Sequence, residues 1–311
     1  MREVASHRID EWRMAYALDG IPERTRIHWE HWCDGPSLGI LQEMCDMLLD
    51  HLAARIAQDP ELCSPPSAVV LRTAAECALG ALSYGASPNG DQEVPLPLIG
   101  ETFSSEVAGY DPPVDQAPTA RTWRQVFSLC LISGPWERDR AIGGLLRVDF
   151  APTIREGVPY SPLESQSDPA DIAEMDALCS YLVGPWRSNY SESGLVLCKP
   201  DADERAEAAR QLDAVGALTS DQQLLRTLLE DDRSTFEDAL TTRLTQYRDN
   251  AAIDAPPRTL LPFGTISLVK LATQVYGWEL GIRSDYLPAG LLHGEYSLPT
   301  EPEVEEDLCE K

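Results

Sequence analysis

The spacing of apolar residues constrains this chain more than any other feature. Between Ser37 and Gln58, Leu41, Met44, Cys45, Leu48, Leu49, Leu52 and Ile56 recur at steps of three and four until Asp59-Pro60 interrupts them. Residues so spaced share one face of an α-helix, and that face needs a second apolar surface to cover it. The next segment, Ser67 to Tyr84, supplies one: Val70, Leu71, Ala74, Ala78, Leu79 and Leu82 repeat the pattern, and Gly85 follows. Two such helices joined by a short link form an antiparallel pair. Upstream, Arg2 to Leu18 reads as an opening helix that lays Ile9, Trp12, Ala15 and Tyr16 against the pair.

The same punctuation continues downstream. Arg121 to Ser133 gathers Trp123, Val126, Phe127, Cys130 and Leu131 on one face before Gly134-Pro135, and a shorter helix is expected over Arg138 to Val148. Asp168-Pro169 opens a helix running to Gly184-Pro185, using the preference for proline in a first turn. Asp203 to Val215 is Ala-rich, while Ser220 with Gln223 and Ser234 with Glu237 have the spacing of capping boxes. Thr265 to Tyr276 is the last strong helix, with Gly277 at its left-handed end, and Trp278 to Ile282 is short enough to be extended. The expected fold is therefore all-α, an array of packed antiparallel helix pairs with long Pro-rich loops. Three regions are expected: 1–119, helical and ending in an acidic loop; 120–298, helical; and a disordered acidic tail, 299–311.

Charge decides which partners to consider. The chain of 311 residues carries 51 acids against 25 bases, a formal charge of −26, so nucleic acid is not an expected partner. The acids concentrate: Thr73 to Ala120 holds seven and no base, and residues 201 to 232 hold nine against three bases. Within 86–119 six prolines and three glycines accompany them, which reads as a long acidic loop. Eight scattered cysteines without a C-x-x-C pair read as reduced thiols. No apolar run reaches membrane-spanning length and none near Met1 resembles a signal core, so no membrane partner and a cytoplasmic location are expected.

Reactive sites are sparse. His28-Trp29-Glu30-His31-Trp32-Cys33-Asp34 is the one cluster of metal-capable ligands, but its spacing matches no closed zinc pattern, and it reads better as side chains anchoring a turn. Glu230-Asp231-Asp232 could hold a cation, yet consecutive acids at a helix end usually face water. There is no G-x-S-x-G, Walker loop or G-x-G-x-x-G, and Cys45, Cys77, Cys130 and Cys179 sit on apolar helix faces. No catalytic residue, cofactor or metal is expected, and the chain does not read as an enzyme.

Three segments carry a family resemblance. They are Thr122 to Leu131, containing Trp123, with Arg138-Asp139-Arg140 after it; Phe236 to Leu240, ending near Tyr247-Arg248; and Leu268 to Ala272, followed by Gly277 to Leu280 and Ser284-Asp285-Tyr286-Leu287-Pro288. In order and spacing they resemble the immunity protein 49 family over roughly residues 120 to 293. Gly134 to Glu137 and Pro185 to Pro200 depart from its pattern. The resemblance implies a mostly helical protein that neutralises the toxin of a bacterial polymorphic-toxin system, with no catalytic residues to carry over. In its terminal signature, Ser284 or Asp285 is expected to cap a short turn, Tyr286 and Leu287 to pack back on the last long helix, and Pro288 to fix the backbone. With the charge, it implies a cognate toxin with a basic surface, met by Asp91, Glu93, Glu101, Glu106, Asp111, Asp115, Glu230, Asp231 and Asp232. A helical-repeat scaffold or adaptor, or an enzyme with an unrecognised Cys/His site, are the competing classes; the oligomeric state stays open.

Overall fold

The apolar stripes become helices that bury each other. The computed structural model describes residues 2–35, 37–88, 92–104, 117–134, 153–158, 161–183 and 196–293. Helix α1 spans Glu11–Leu18, α2 Ile21–Asp34, α3 Leu38–Ala54, α4 Pro65–Ala86 and α5 Ala120–Ser133. After these come α6 Pro169–Cys179, α7 Ala202–Ala214, α8 Ser220–Leu229, α9 Arg233–Asp249, α10 Phe263–Gln274 and the short α11 Ala289–His293. The protein is predominantly all-α, and among the described residues strands occur as small pieces only. The expected helix over 138–148 and the acidic tail lie outside the described residues.

Helix α4 forms the centre. Pro65 and Pro66 start it, and nearly every residue from Ser67 onward is buried as α3 packs along one side and α5 along the other. Helix α5 is itself covered by α10 and α6. A single cluster of buried side chains runs from Val4 to Leu292. Within it Trp32 meets Tyr84 and Phe103 at ring-centroid distances of 5.2 and 4.9 Å. Burial of this kind, about 25 cal/mol per Å² of apolar surface, is the main force holding the helices together. Ser37 caps α3 by accepting from the Ile40 amide at 3.3 Å, and Gly277 takes φ +69° beyond α10, both as expected.

The structure corrects several local expectations. Arg2–Val4 is a strand, β1, in parallel register with β6, Ile282–Ser284, so the first helix begins only at Glu11. Its buried residue is Ala17, whereas Trp12 and Tyr16 are 63% and 67% exposed. The acidic segment after α4 contains an antiparallel hairpin, β2 Glu93–Leu96 with β3 Glu101–Ser104. Gly80 lets it lie close to α4, because a Cβ there would stand 3.0 Å from Val94 Cγ1. A third two-stranded piece joins β4 Leu182–Val183 to β5 Val196–Leu197. The His28 to Asp34 cluster is helical and forms the end of α2. The α8 capping box uses Thr219 and Gln222, one residue earlier than expected, and Asp232 rather than Ser234 caps α9. An unforeseen box, Asp201 with Glu204, starts α7.

Candidate partner-binding surfaces

Of the acids expected to meet a partner, Asp91, Glu106, Asp111 and Asp115 lie outside the described residues. Glu93 is exposed at the start of β2. Glu101 starts β3 and pairs with Arg26 at 3.4 Å, while Trp29 Nε1 donates to Thr102 O at 3.2 Å, so α2 and the hairpin hold each other. Glu230, Asp231 and Asp232 occupy the junction of α8 and α9, and each has an internal task. Glu230 pairs with Arg226 at 2.9 Å. Asp231, at φ +61°, takes both Lys199 at 2.6 Å and Arg205 at 3.2 Å. Asp232 accepts from the Thr235 amide and hydroxyl and from the Ser234 amide, and those bonds hold its carboxyl below the usual range.

The signature residues act as a suture. Trp123 is buried and stacks on Phe127 at 5.3 Å; Arg138 and Asp139 lie outside the described residues. Ser284 Oγ donates to Val4 O at 2.7 Å and accepts from the Tyr286 amide at 3.3 Å, as the capping expectation had it, while Asp285 accepts from the Ser6 amide. The Tyr286 ring packs edge-on against Tyr247 of α9 and beside His7 of the N-terminal arm. Tyr286 Oη accepts from the His7 amide at 2.9 Å. Thr259 Oγ1 donates to Pro256 O and so accepts from His7 Nε2 at 3.0 Å, which in a neutral ring leaves Nδ1 to accept from Tyr286 Oη at 2.7 Å. Desolvation lowers the His7 pKa, consistent with a neutral ring.

Beside the signature opens a cleft of about 800 Å³ whose lining includes Trp278, Leu280, Leu287 and the exposed acids Glu61, Glu279 and Asp285. Glu61 is partly committed: its carboxylate accepts from the Ala289 amide at 2.8 Å, and its backbone carbonyl from the Gly290 amide. The sequence offered the signature but not this cleft, since Glu61 and Trp278 are 217 positions apart in the numbering.

The titratable groups in the interior are structural in their surroundings. Burial pushes the Cys45 and Cys77 thiols well up and Cys130 to about 12, which leaves them protonated at neutral pH. His28 and His31 face each other at 6.4 Å, and no group of three metal-capable side chains stands together among the described residues. A polar network absent from any motif ties five helices together. Arg124 of α5 lies 3.5 Å from Glu174 of α6 and 3.4 Å from Asp221 of α8. Asp221 also accepts from Arg243 of α9 and from Thr265. Gln222 donates to Glu174 and Asp171 at 3.1 and 3.0 Å. Burial raises the Glu174 carboxyl to about 7, with Arg124 and Gln222 pulling against it. Such a network fixes one arrangement of helices.

No helix among the described residues is long and apolar enough to cross a membrane. The family described as Immunity protein 49 matches residues 59–291, reaching further upstream than the motifs that first suggested it. No curated protein and no solved structure matches the chain.

Proposed function

The chain belongs to the immunity protein 49 family, and from that premise we propose that it is a cytoplasmic immunity protein that binds the cognate toxin of a polymorphic-toxin system and covers the toxin's working surface. The match over 59–291 carries this reading. The charge of −26 supports its finer part, because a toxin domain that acts on nucleic acid needs a basic surface, and an acidic partner is attracted to that surface. The surface acids steer the encounter, and chemistry plays no part.

Masking predicts stoichiometry. Added to the toxin domain encoded beside this chain, the protein should lower toxin activity linearly to zero near equivalence, and the toxin should be recovered intact after the complex is denatured. Folded variants lacking Cys45, Cys130 or His31 should still protect. Protection by one molecule of many toxin molecules, lost on one such substitution, would instead make the protein an enzyme. A chain that leaves this toxin fully active at any ratio would favour the scaffold reading.

A further inference from the structure

The described residues expose four large hydrophobic side chains: Trp12, Tyr16, Ile27 and Ile253. Three of them line one groove of about 550 Å³ between α1, α2 and α3, and Ile253 stands three residues before Pro256, which lines it too. Isolated exposed apolar groups are ordinary on a soluble protein, but their convergence on one concavity marks an interaction site. The rings are also pre-arranged. The Arg13 guanidinium lies 4.8 Å over the Trp12 ring and that of Arg24 5.0 Å over Tyr16, with Arg24 further fixed by Tyr16 O and Met47 Sδ. Tryptophan, tyrosine and arginine held in place are the residues that dominate binding energy at protein interfaces.

The charges select the occupant. Glu43, Asp46 and Asp50 also line the groove. Arg258 binds Asp46 at 2.9 Å and Asp50 at 2.7 Å, while Arg13 and Arg24 lie over the Trp12 and Tyr16 rings and keep their charge. Glu43 is exposed and has no ion pair among the described residues, and the Asp46 side chain is still 46% exposed. The groove thus offers an apolar seat beside two accessible carboxylates. We propose that it is the toxin-docking site, and that it takes a protruding toxin segment bearing an aliphatic or aromatic side chain next to a lysine or arginine. This rests on the immunity reading and deepens it. Apart from its contribution at 256–258, the groove lies upstream of the span matched by the family. Specificity for one toxin among many is then set by α1 and α2.

The test uses the full chain and the toxin domain encoded beside it. Trp12→Ala and Tyr16→Ala should each weaken binding about 30-fold or more, as hot-spot truncations do. Trp12→Phe should keep most of the affinity, and Glu43→Lys should slow association severalfold at low salt. Because both rings are more than 60% exposed, the helical signal and melting temperature should not change. Amide exchange gives a second readout: complex formation should protect residues 11–28. Tight binding by the wild type that both alanine variants retain, or protection confined to the cleft around Trp278 and Asp285, overturns the groove while leaving the immunity function standing. A wild type that does not bind this toxin overturns both.

Discussion

Lys270 provides the sharpest test of how the core is balanced. It sits in α10 with 2% of its surface exposed, and its ammonium group donates to Leu291 O at 3.1 Å and to Ile132 O at 3.4 Å. Both carbonyls belong to the ends of helices, α11 and α5, where intrahelical partners run out. The lysine is therefore a cap supplied from a third helix, its charge placed at the negative ends of two others. Burial lowers its pKa from 10.5 to about 8. In the unfolded chain the group keeps its proton to higher pH than in the folded one, so stability attributable to Lys270 rises between pH 8 and 10.5. Below pH 8 both states are charged, and the full cost of the buried charge, about 3 kcal/mol for such a shift, is present.

Replacing Lys270 by Met removes that cost but strands two buried carbonyls, at about 1–3 kcal/mol each. Near pH 7 the variant should therefore lie between about 1 kcal/mol more stable and about 3 kcal/mol less stable than the wild type. The pH dependence is the discriminating quantity. The buried thiols of Cys45, Cys77 and Cys130 act with opposite sign: their folded pKa values are raised, the unfolded thiols ionise first, and stability falls above pH 9. Only the difference between the two proteins isolates the lysine. Urea midpoints measured under reducing conditions from pH 7 to 10.5 should show the wild type gaining roughly 2–3 kcal/mol on Lys270→Met. Parallel curves would refute the account, because they would mean that the ammonium is solvated in the native state.

Three further outcomes follow. For Glu174 the sign is reversed: its carboxyl is raised to about 7, so the unfolded state ionises first and stability is lost as pH climbs from 4.5 to 7. Glu174→Gln should flatten that decline in urea titrations, and a wild-type profile parallel to the variant's would remove the buried carboxylate from the explanation. Gly290→Ala should destabilise by about 2 kcal/mol or more, since its Cβ would stand 2.7 Å from Leu62 O and 2.9 Å from Cys63 Sγ; an unchanged thermal midpoint would contradict the fit. Association with the toxin domain should slow as salt rises, while dissociation changes little; stopped-flow rates indifferent to ionic strength would eliminate electrostatic steering.

The helices were legible in the sequence because each needs the same thing, a face to bury, and repeats it over three or more turns. Ser37 to Gln58 and Arg121 to Ser133 gave boundaries within a few residues of α3 and α5. What escaped has no period. Strand β1 is three residues long and its partner lies 280 positions away, so nothing local announces it. The α8 cap slipped by one residue because Thr219 and Ser220 can both accept an amide, and only the backbone dihedral chooses. Trp12 and Tyr16 misled for a deeper reason. Hydropathy reports that a ring avoids water but not what covers it, and Ala17 is the residue that α1 buries.

Acids pose the converse difficulty. The run Glu230-Asp231-Asp232 is bound to Arg226, Lys199, Arg205 and the start of α9, so its contact surface is committed within the fold. A paired carboxylate and guanidinium form a dipole whose field decays well inside a Debye length, whereas an unpaired acid acts over about 8–10 Å of salt solution. The excess of 51 acids over 25 bases guarantees that many carboxylates have no cation to pair with, wherever the paired ones are. The sum of charge thus sets the rate of encounter with a basic partner, and it can be read from composition. Which carboxylate touches that partner depends on which acids the fold leaves unpaired beside an apolar seat. Among the described residues Glu43 meets both conditions, and the sequence does not distinguish it from the other acids.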